Sequence, residues 1–128
     1  MWKLLTALLL FVAALPGARA EGVTGAPAPL PLWLTDHAKA QVLATLGAPR
    51  TARFRRIHGY RLSDGGWAVC GQVNARNLTG LPMGWKPVFL RYAPEGAGRW
   101  QMARRVVDWP ADVACRYLDM GWKLRTGW

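Results

Sequence analysis

Three residues of this chain have side chains suited to nucleophilic catalysis: Cys70, His58 and Asn74. A thiol hydrolase uses the same residue types, with cysteine as the nucleophile, histidine as the base and asparagine to orient the histidine. Residues 67–76 alternate in the manner of a strand, and a hairpin with the preceding segment would bring His58 near Cys70. Reactive cysteines, however, typically lie at helix N-termini or beside basic groups rather than in mid-strand. A small hydrolase or thiol enzyme is therefore the alternative hypothesis, and a non-enzymatic protein is the first.

A second cysteine, Cys115, offers Cys70 a structural role instead. A bond between the two would close a loop of about 45 residues, for which the chain-entropy account gives a stabilisation of about 4 kcal/mol. Neither cysteine belongs to a C-x-x-C pair or has a histidine at the spacing of a metal site, so no cofactor is expected. The sequence predicts a Cys70–Cys115 disulfide, with a reactive thiol or a metal pair as the alternatives.

Carboxylate pairs, the usual groups of acid–base hydrolysis, are scarce in this chain. Asp64 and Glu95 lie in predicted turns, while Asp108, Asp112 and Asp119 belong to the C-terminal segment. The sequence therefore gives little support to hydrolysis by paired carboxylates.

Basic residues strongly outnumber acidic ones. The chain holds 17 Lys and Arg against 7 Asp and Glu. Most of this excess falls between Arg50 and Arg105, where Asp64 and Glu95 are the only acidic residues. A positive field attracts anionic partners, whether phosphate, lipid headgroup or acidic glycan, without selecting among them. Arginine together with abundant alanine, glycine and proline can equally reflect the base composition of the gene.

Aromatic residues are interspersed with these arginines. Such a mixture can stack on bases or sugars while the guanidinium groups hold phosphate or carboxylate. Trp85 lies in a Gly/Pro-rich loop beside Lys86 and is the tryptophan most suited to exposure. Asn74 and Asn77 suit a structural role in the turn after the strand, with ligand contact as the alternative. The candidate ligand-binding residues are Arg55, Arg56, Trp85, Lys86, Asn74 and Asn77.

The N-terminus has the three parts of a secretory signal peptide. Lys3 provides the positive charge, residues 4–15 the apolar stretch and residues 16–20 an ending of the A-x-A type. The apolar stretch is shorter than the ~20 residues of a spanning helix, and a retained anchor is the alternative to cleavage. We predict a cleaved signal peptide over 1–20, no transmembrane segment after cleavage, and a periplasmic or secreted protein. The expected partner is an anionic envelope component, and nucleic acid is not expected as one.

The remaining chain divides into a lead-in and one domain. Residues 21–32 are rich in proline and low in charge, which predicts a flexible lead-in before a single domain over 33–128. A helix is predicted from His37 to Leu46, with Thr35 or Asp36 as its N-cap.

Four strands and a second helix follow in the predicted order. The strands are expected over 50–62, with a bulge near Arg55 and Arg56, and over 67–76, 88–92 and 99–107. The short C-terminal helix is predicted to begin near Asp108. The predicted fold is α+β, an N-terminal helix packed on a roughly four-stranded antiparallel meander sheet that a short C-terminal helix closes. A small, partly open barrel of the same strands is the alternative.

One part of the chain resembles a known family. Residues 51–55 (TARFR), 69–77 (VCGQVNARN), Gly80, Gly84 and 87–89 (PVF) are similar to the motifs of small exported proteobacterial proteins of unknown function. The resemblance covers residues 46–92, and the C-G-x-V-N-A-x-N core is its most specific part. It implies export and a small α+β fold, and it implies no mechanism.

Overall fold

The computed structural model describes residues 22–125 and 127–128. The predicted signal peptide, residues 1–20, lies outside the described residues. The described residues form two helices and a five-stranded antiparallel sheet, which makes the fold α+β as predicted. In chain order the elements are β1 (Gly25–Ala28), α1 (Leu32–Leu43), β2 (Ala48–Leu62), β3 (Trp67–Arg76), β4 (Lys86–Gly96), β5 (Arg99–Val107) and α2 (Trp109–Asp119).

The strands lie side by side in chain order, so β2 to β5 form the predicted meander within an open sheet. The predicted number of four strands is corrected to five. The additional strand, β1, lies in the proline-rich segment and pairs with the end of β2, Pro27 opposite Tyr60. Proline is tolerated because β1 is an edge strand, where the amide hydrogen that proline lacks can face away from the sheet.

The N-terminal helix begins and ends earlier than predicted. α1 extends from Leu32 to Leu43, and Pro31 takes the N-cap position that was assigned to Thr35 or Asp36. The Thr35 hydroxyl donates instead to the carbonyl oxygen of Pro31 at 3.4 Å, within the first turn. A side chain engaged in this way cannot cap a helix that starts after it.

The bulge predicted in β2 is present. The register passes from Arg55 opposite Gln72 to His58 opposite Cys70, so β2 has one more residue than β3 in this interval. Arg56 takes up the extra length with a φ of 55°, in the left-handed region. The bulge therefore re-aims the side chains of β2 at the point where the basic residues cluster.

Each face of the sheet is covered by one helix, so β3 is buried on both sides. The buried core on the α1 side consists of Leu34, Ala38, Val42, Trp67, Val69, Val73, Val88, Leu90 and Tyr92. The core on the α2 side includes Tyr60, Leu62, Ala68, Cys70, Phe89, Ala111, Ala114 and Leu118. Within residues 22–125, neither helix has the length and apolar character needed to cross a bilayer.

The predicted disulfide joins α2 to the sheet. Cys70 in β3 is bonded to Cys115 in α2, with their Cα atoms 6.0 Å apart. Asp108 begins the helix as predicted, because its Oδ1 accepts a hydrogen bond from the amide of Trp109 at 2.9 Å. These contacts hold α2 over β4 and β5 and leave one corner of the same face of the sheet uncovered.

Candidate anion-binding surface

The uncovered corner lies at the start of β2 and the end of β3. Arg53 is opposite Asn74 and Arg55 is opposite Gln72, and direct cross-strand partners share a face. Gln72 and Asn74 have the same parity along β3 as Cys70, which is bonded to α2, so these side chains lie on the α2 side. We call this corner the arginine face, and it consists of Arg53, Arg55, Gln72, Asn74 and Arg76.

Two contacts hold the Arg55 side chain in place. Its guanidinium carbon lies 4.0 Å from the centroid of the Trp85 ring. Its Nε donates a hydrogen bond to Gln72 Oε1 at 2.7 Å. A guanidinium group has five N–H donors, and stacking on an aromatic ring leaves those at its edge free. Arg55 therefore presents hydrogen-bond donors in a fixed orientation.

Beside Arg55 the surface has an open recess with a volume of about 540 Å³. It forms where the register of β2 slips between Ala48 and Arg53. The Thr51 hydroxyl bridges this slip, donating to the Ala48 carbonyl at 2.7 Å and accepting from the Arg76 amide at 2.9 Å. Guanidinium-bearing and polar residues line the recess, among them Arg50, Arg53, Asn74 and Arg76.

The cations of this corner have no carboxylate partner among residues 22–125 and 127–128. The ion pairs found there join Lys86 to Asp108, Arg91 to Asp64 and Arg116 to Asp112. The exposed arginines at or beside the corner that take part in none of these pairs are Arg50, Arg53, Arg55, Arg56 and Arg76. The corner is therefore a concentration of positive charge open to solvent.

Two other arginines of the basic segment, Arg61 and Arg91, have structural partners. Arg61 lies over the ring of Trp67, 5.0 Å from its centroid. Arg91 forms its ion pair with Asp64 at 3.0 Å. The excess of basic residues thus includes arginines with a structural partner, such as Arg61 and Arg91, and the group concentrated at the corner.

Of the predicted ligand-binding residues, Arg55, Trp85 and Asn74 lie together at this corner, and Arg56 is close by in the bulge. Lys86 does not join them. It lies opposite Val73, whose side chain is buried on the α1 side of the sheet. Lys86 is also paired with Asp108, with 2.9 Å between Nζ and Oδ2.

Asp108 is an acceptor for two neighbours. The hydrogen bond from Lys86, followed by the one from the Trp109 amide, holds the pKa of the Asp108 carboxyl below its usual value. Lys86 therefore favours the charged form of this carboxylate at the end of β5, and the charge of Lys86 is partly offset there.

Asn77 has the structural role that was one of its two predicted roles. Its Oδ1 accepts hydrogen bonds from the amides of Thr79 and Leu81, both at 3.0 Å. It also accepts one from the Thr79 hydroxyl at 2.6 Å. The side-chain oxygen is fully used within the loop and is not available to a ligand.

The residues of the thiol hypothesis do not form a catalytic arrangement in this structure. Cys70 is 1% exposed and its sulfur is bonded to Cys115, so it has no thiolate to activate. His58 lies opposite Cys70 in the register, as the predicted hairpin required, but its Nδ1 lies 2.6 Å from the carbonyl oxygen of Arg56. Asn74 is four residues along β3 from Cys70, roughly 13 Å away at the rise of a strand.

No metal site is evident either in the part of the chain that the structure describes. Nowhere within it do three or more His, Cys, Asp or Glu side chains come close enough together to hold an ion.

A second recess, of about 340 Å³, lies between α1 and the β4–β5 hairpin, and the sequence did not predict it. Trp33 stacks on Trp100 there, with ring centroids 5.5 Å apart. His37 Nδ1 lies 2.7 Å from the hydroxyl of Tyr92, and burial raises the pKa of Tyr92 to about 12. Trp33 and His37 are one helical turn apart, so a sequence can indicate that they share a helix face. Their partners, Trp100 and Tyr92, are distant in the chain and are brought near by the folding of the sheet.

The chain was compared with protein-family models, with curated proteins and with solved structures, and none of them matches. The resemblance of residues 46–92 to small exported proteins stays a prediction.

Proposed function

We propose that this protein is a non-enzymatic, exported binding module that holds anionic material of the cell envelope on the arginine face. One observation carries the proposal. Five exposed guanidinium groups lie at or beside one corner of the sheet without a carboxylate partner among the described residues, and Trp85 fixes the orientation of one of them, that of Arg55.

Mutual repulsion makes such a cluster unfavourable in the unbound protein. Like charges held close together on one face of a sheet repel each other and destabilise it. Arg53 and Arg55 are on the same face of β2, and Arg76 lies on that face at the end of β3, two residues beyond the partner of Arg53. An anionic ligand would remove this repulsion, and guanidinium groups bind phosphate and carboxylate oxygens in a bidentate manner.

The proposed compartment rests on the predicted signal peptide and is compatible with the disulfide. Cys70 and Cys115 are bonded in the structure, and disulfides persist in oxidising compartments outside the cytosol. Together with the predicted signal peptide, this favours an exported protein and envelope material as the ligand.

The test is capture of anionic envelope extracts by the immobilised protein at two salt concentrations. Between about 0.1 M and 1 M salt the screening length falls from about 10 Å to 3 Å, so capture through exposed charges should fall steeply. Arg53→Glu with Arg55→Glu should weaken capture by about 30-fold or more, at roughly 1 kcal/mol for each cation lost at an anionic surface. Trp85→Ala should weaken capture less, because it frees Arg55 without removing its charge.

A matched control changes the net charge by the same amount elsewhere. Arg99→Glu with Lys123→Glu reverses two exposed cations near the opposite end of the sheet, and capture should remain close to that of the unmodified protein. Equal losses in both double variants would mean that only net charge matters. Capture that no salt concentration and no variant alters would refute the proposal.

A further inference from the structure

The loop between β3 and β4 carries two leucines whose side chains are largely exposed. Leu78 is 85% exposed and Leu81 is 62% exposed. Single exposed apolar residues are ordinary on protein surfaces, and Leu32 at the start of α1 is another example. The pair in the loop is distinguished by its position, because the two leucines are three residues apart and adjoin the arginine face.

The loop is held in one conformation that keeps the two leucines outward. The Asn77 side chain accepts three hydrogen bonds from within the loop. The amide of Gly80 donates to the Asn77 carbonyl at 2.9 Å, and Gly80 has a φ of 84°, which glycine adopts without strain. At the base of the loop, Arg76 and Pro82 form an isolated β-bridge. The leucines thus project from a braced turn rather than from a free segment of chain.

Arginine side chains lie at the base of this loop. Arg76 Nη1 donates to the carbonyl oxygen of Gly80 at 2.8 Å, which keeps its guanidinium group against the loop itself. Arg50 and Arg53 line the recess together with Pro82 of the loop. None of the ion pairs among the described residues involves these arginines. The exposed leucines and the arginines at the base of the loop therefore belong to the same projecting part of the molecule.

We propose that Leu78 and Leu81 insert into the surface of an anionic lipid bilayer while the arginine face binds the headgroup phosphates. The inference rests on the proposed function, since the same arginines provide the attraction, but it adds a hydrophobic component and names the partner. A dissolved anion leaves an exposed leucine side chain in water, whereas insertion at the acyl boundary of a bilayer removes that side chain from water. Shallow association of this kind takes both buried apolar area and cations at the depth of anionic headgroups.

Trp85 is suited to the boundary between lipid headgroups and acyl chains. It is partly exposed at the base of the same loop, with its ring under the Arg55 guanidinium. Indole rings are enriched at the level of lipid headgroups, where one part of the ring is apolar and another is wet. Trp85 therefore adds a group of interfacial character beside the exposed leucines and the arginine face.

The experiment is co-sedimentation of the full protein with two kinds of vesicle, one of phosphatidylcholine alone and one that also contains phosphatidylglycerol. We expect binding to the second kind only. Leu78→Ser with Leu81→Ser should lower that binding by about tenfold or more, because the apolar insertion is lost while every charge remains. Leu78→Met with Leu81→Met should bind nearly as the unmodified protein does, since the side chains stay apolar.

The matched control is Leu32→Ser with Met120→Ser, two exposed apolar residues outside the loop, which should leave vesicle binding unchanged. Vesicle binding by the Leu78→Ser, Leu81→Ser variant that equals that of the unmodified protein would overturn the inference. So would equal losses in this variant and in the control.

A soluble polyanion, heparin, separates this inference from the proposed function. The serine variant of the loop should bind heparin as the unmodified protein does, while Arg53→Glu with Arg55→Glu should lose both ligands. If the unmodified protein binds heparin in a salt-dependent way but no vesicle, the insertion is refuted and the proposed function stands. If reversing the arginines affects neither ligand, the proposed function itself fails.

Discussion

The position of the Arg55 side chain is fixed before any ligand arrives. Stacking on Trp85 and the hydrogen bond to Gln72 have already restricted its torsions in the unbound protein. Ordering a long side chain on binding typically costs about 0.5–1.5 kcal/mol, and at Arg55 most of that cost falls on folding instead. Arg55 can therefore contribute more to binding than its exposed neighbour Arg53, which bears the same charge.

Tyr92 gives the protein a defined dependence on alkaline pH. Burial raises its pKa to about 12 in the folded protein, while an unfolded chain has the ordinary value near 10. Because the unfolded chain loses this proton first, Tyr92 stabilises the fold fully below about pH 10, and this contribution is lost as the pH rises towards 12. Urea unfolding at about pH 9 and pH 11 should show a lower free energy of unfolding at the higher pH.

The control for this prediction is Tyr92→Phe, which keeps the ring and removes the group that titrates. Other groups ionise in the same range, so the quantity of interest is the difference between the two proteins. The free energy of unfolding should fall less between the two pH values in the phenylalanine variant. Equal falls in both proteins would mean that Tyr92 does not cause the loss.

At the scale of elements, the sequence predicted patterns well and boundaries less well. β2 to β5 and α2 carry their own signals in alternation, turn residues and the Asp108 cap. β1 does not, because a proline-rich segment is typical of a linker and becomes a strand only where an edge of β2 is free to pair with it. The start of α1 was predicted too late in the chain. Thr35 is a typical N-cap residue, but in this structure it lies within the first turn and its hydroxyl donates to the carbonyl oxygen of Pro31.

The bulge in β2 depends on Gly71 in the facing strand. The Ile57 side chain lies over Gly71, so closely that a Cβ on Gly71 would overlap the end of that side chain and press on the Ile57 backbone. The side chain can turn away, but the backbone of the bulge cannot move without breaking its pairing with β3. Glycine is therefore required here by close approach rather than by its φ.

Gly71→Ala should destabilise the protein by about 1–3 kcal/mol, the usual cost of inserting a methyl group into a well-packed site. Thermal or urea unfolding measures this loss of stability. Ile57→Val removes the methyl group nearest to the new Cβ and by itself should cost about 0.5–1.5 kcal/mol.

The double variant tests the cause. If overlap with the end of Ile57 is responsible, Gly71→Ala combined with Ile57→Val should be more stable than the sum of the single effects predicts. Simple additivity would place the strain in the backbone of the bulge instead, and an unchanged stability in Gly71→Ala would show that the strands shift apart freely.

At the scale of the molecule, the candidate site is the corner of the sheet that α2 does not cover. The sequence indicated an excess of arginine from 50 to 105, and three of the ligand-binding residues predicted from it, Arg55, Trp85 and Asn74, lie at one corner of the sheet. It could not separate Arg55 from Arg61 or Arg91, because their aromatic and carboxylate partners are distant in the chain and are brought near by the strand register. The same lack of long-range information left the projecting leucines of the loop without a role.

The disulfide is expected to contribute a large part of the stability of this small molecule. It links the central strand to the last helix across a separation of 45 residues. The chain-entropy account gives about 4 kcal/mol for a loop of this length, against the 5–15 kcal/mol that single domains typically have in total. Cys70→Ala with Cys115→Ala should lower the free energy of unfolding by about this amount, measured by urea unfolding without reductant.

The same double variant distinguishes a structural role of Cys70 from a chemical one. The arginine face lies on β2 and β3 beside α2 rather than under it, so a folded variant without the disulfide should capture anionic material as the unmodified protein does. The comparison is made at low temperature, where the variant remains folded by circular dichroism, and reduced unmodified protein serves as the matched control. Equal stability of the variant and the oxidised protein would contradict the structural role. If the folded variant loses capture while the reduced protein retains it, the thiols themselves take part in binding. The arginine face alone would then not account for the site.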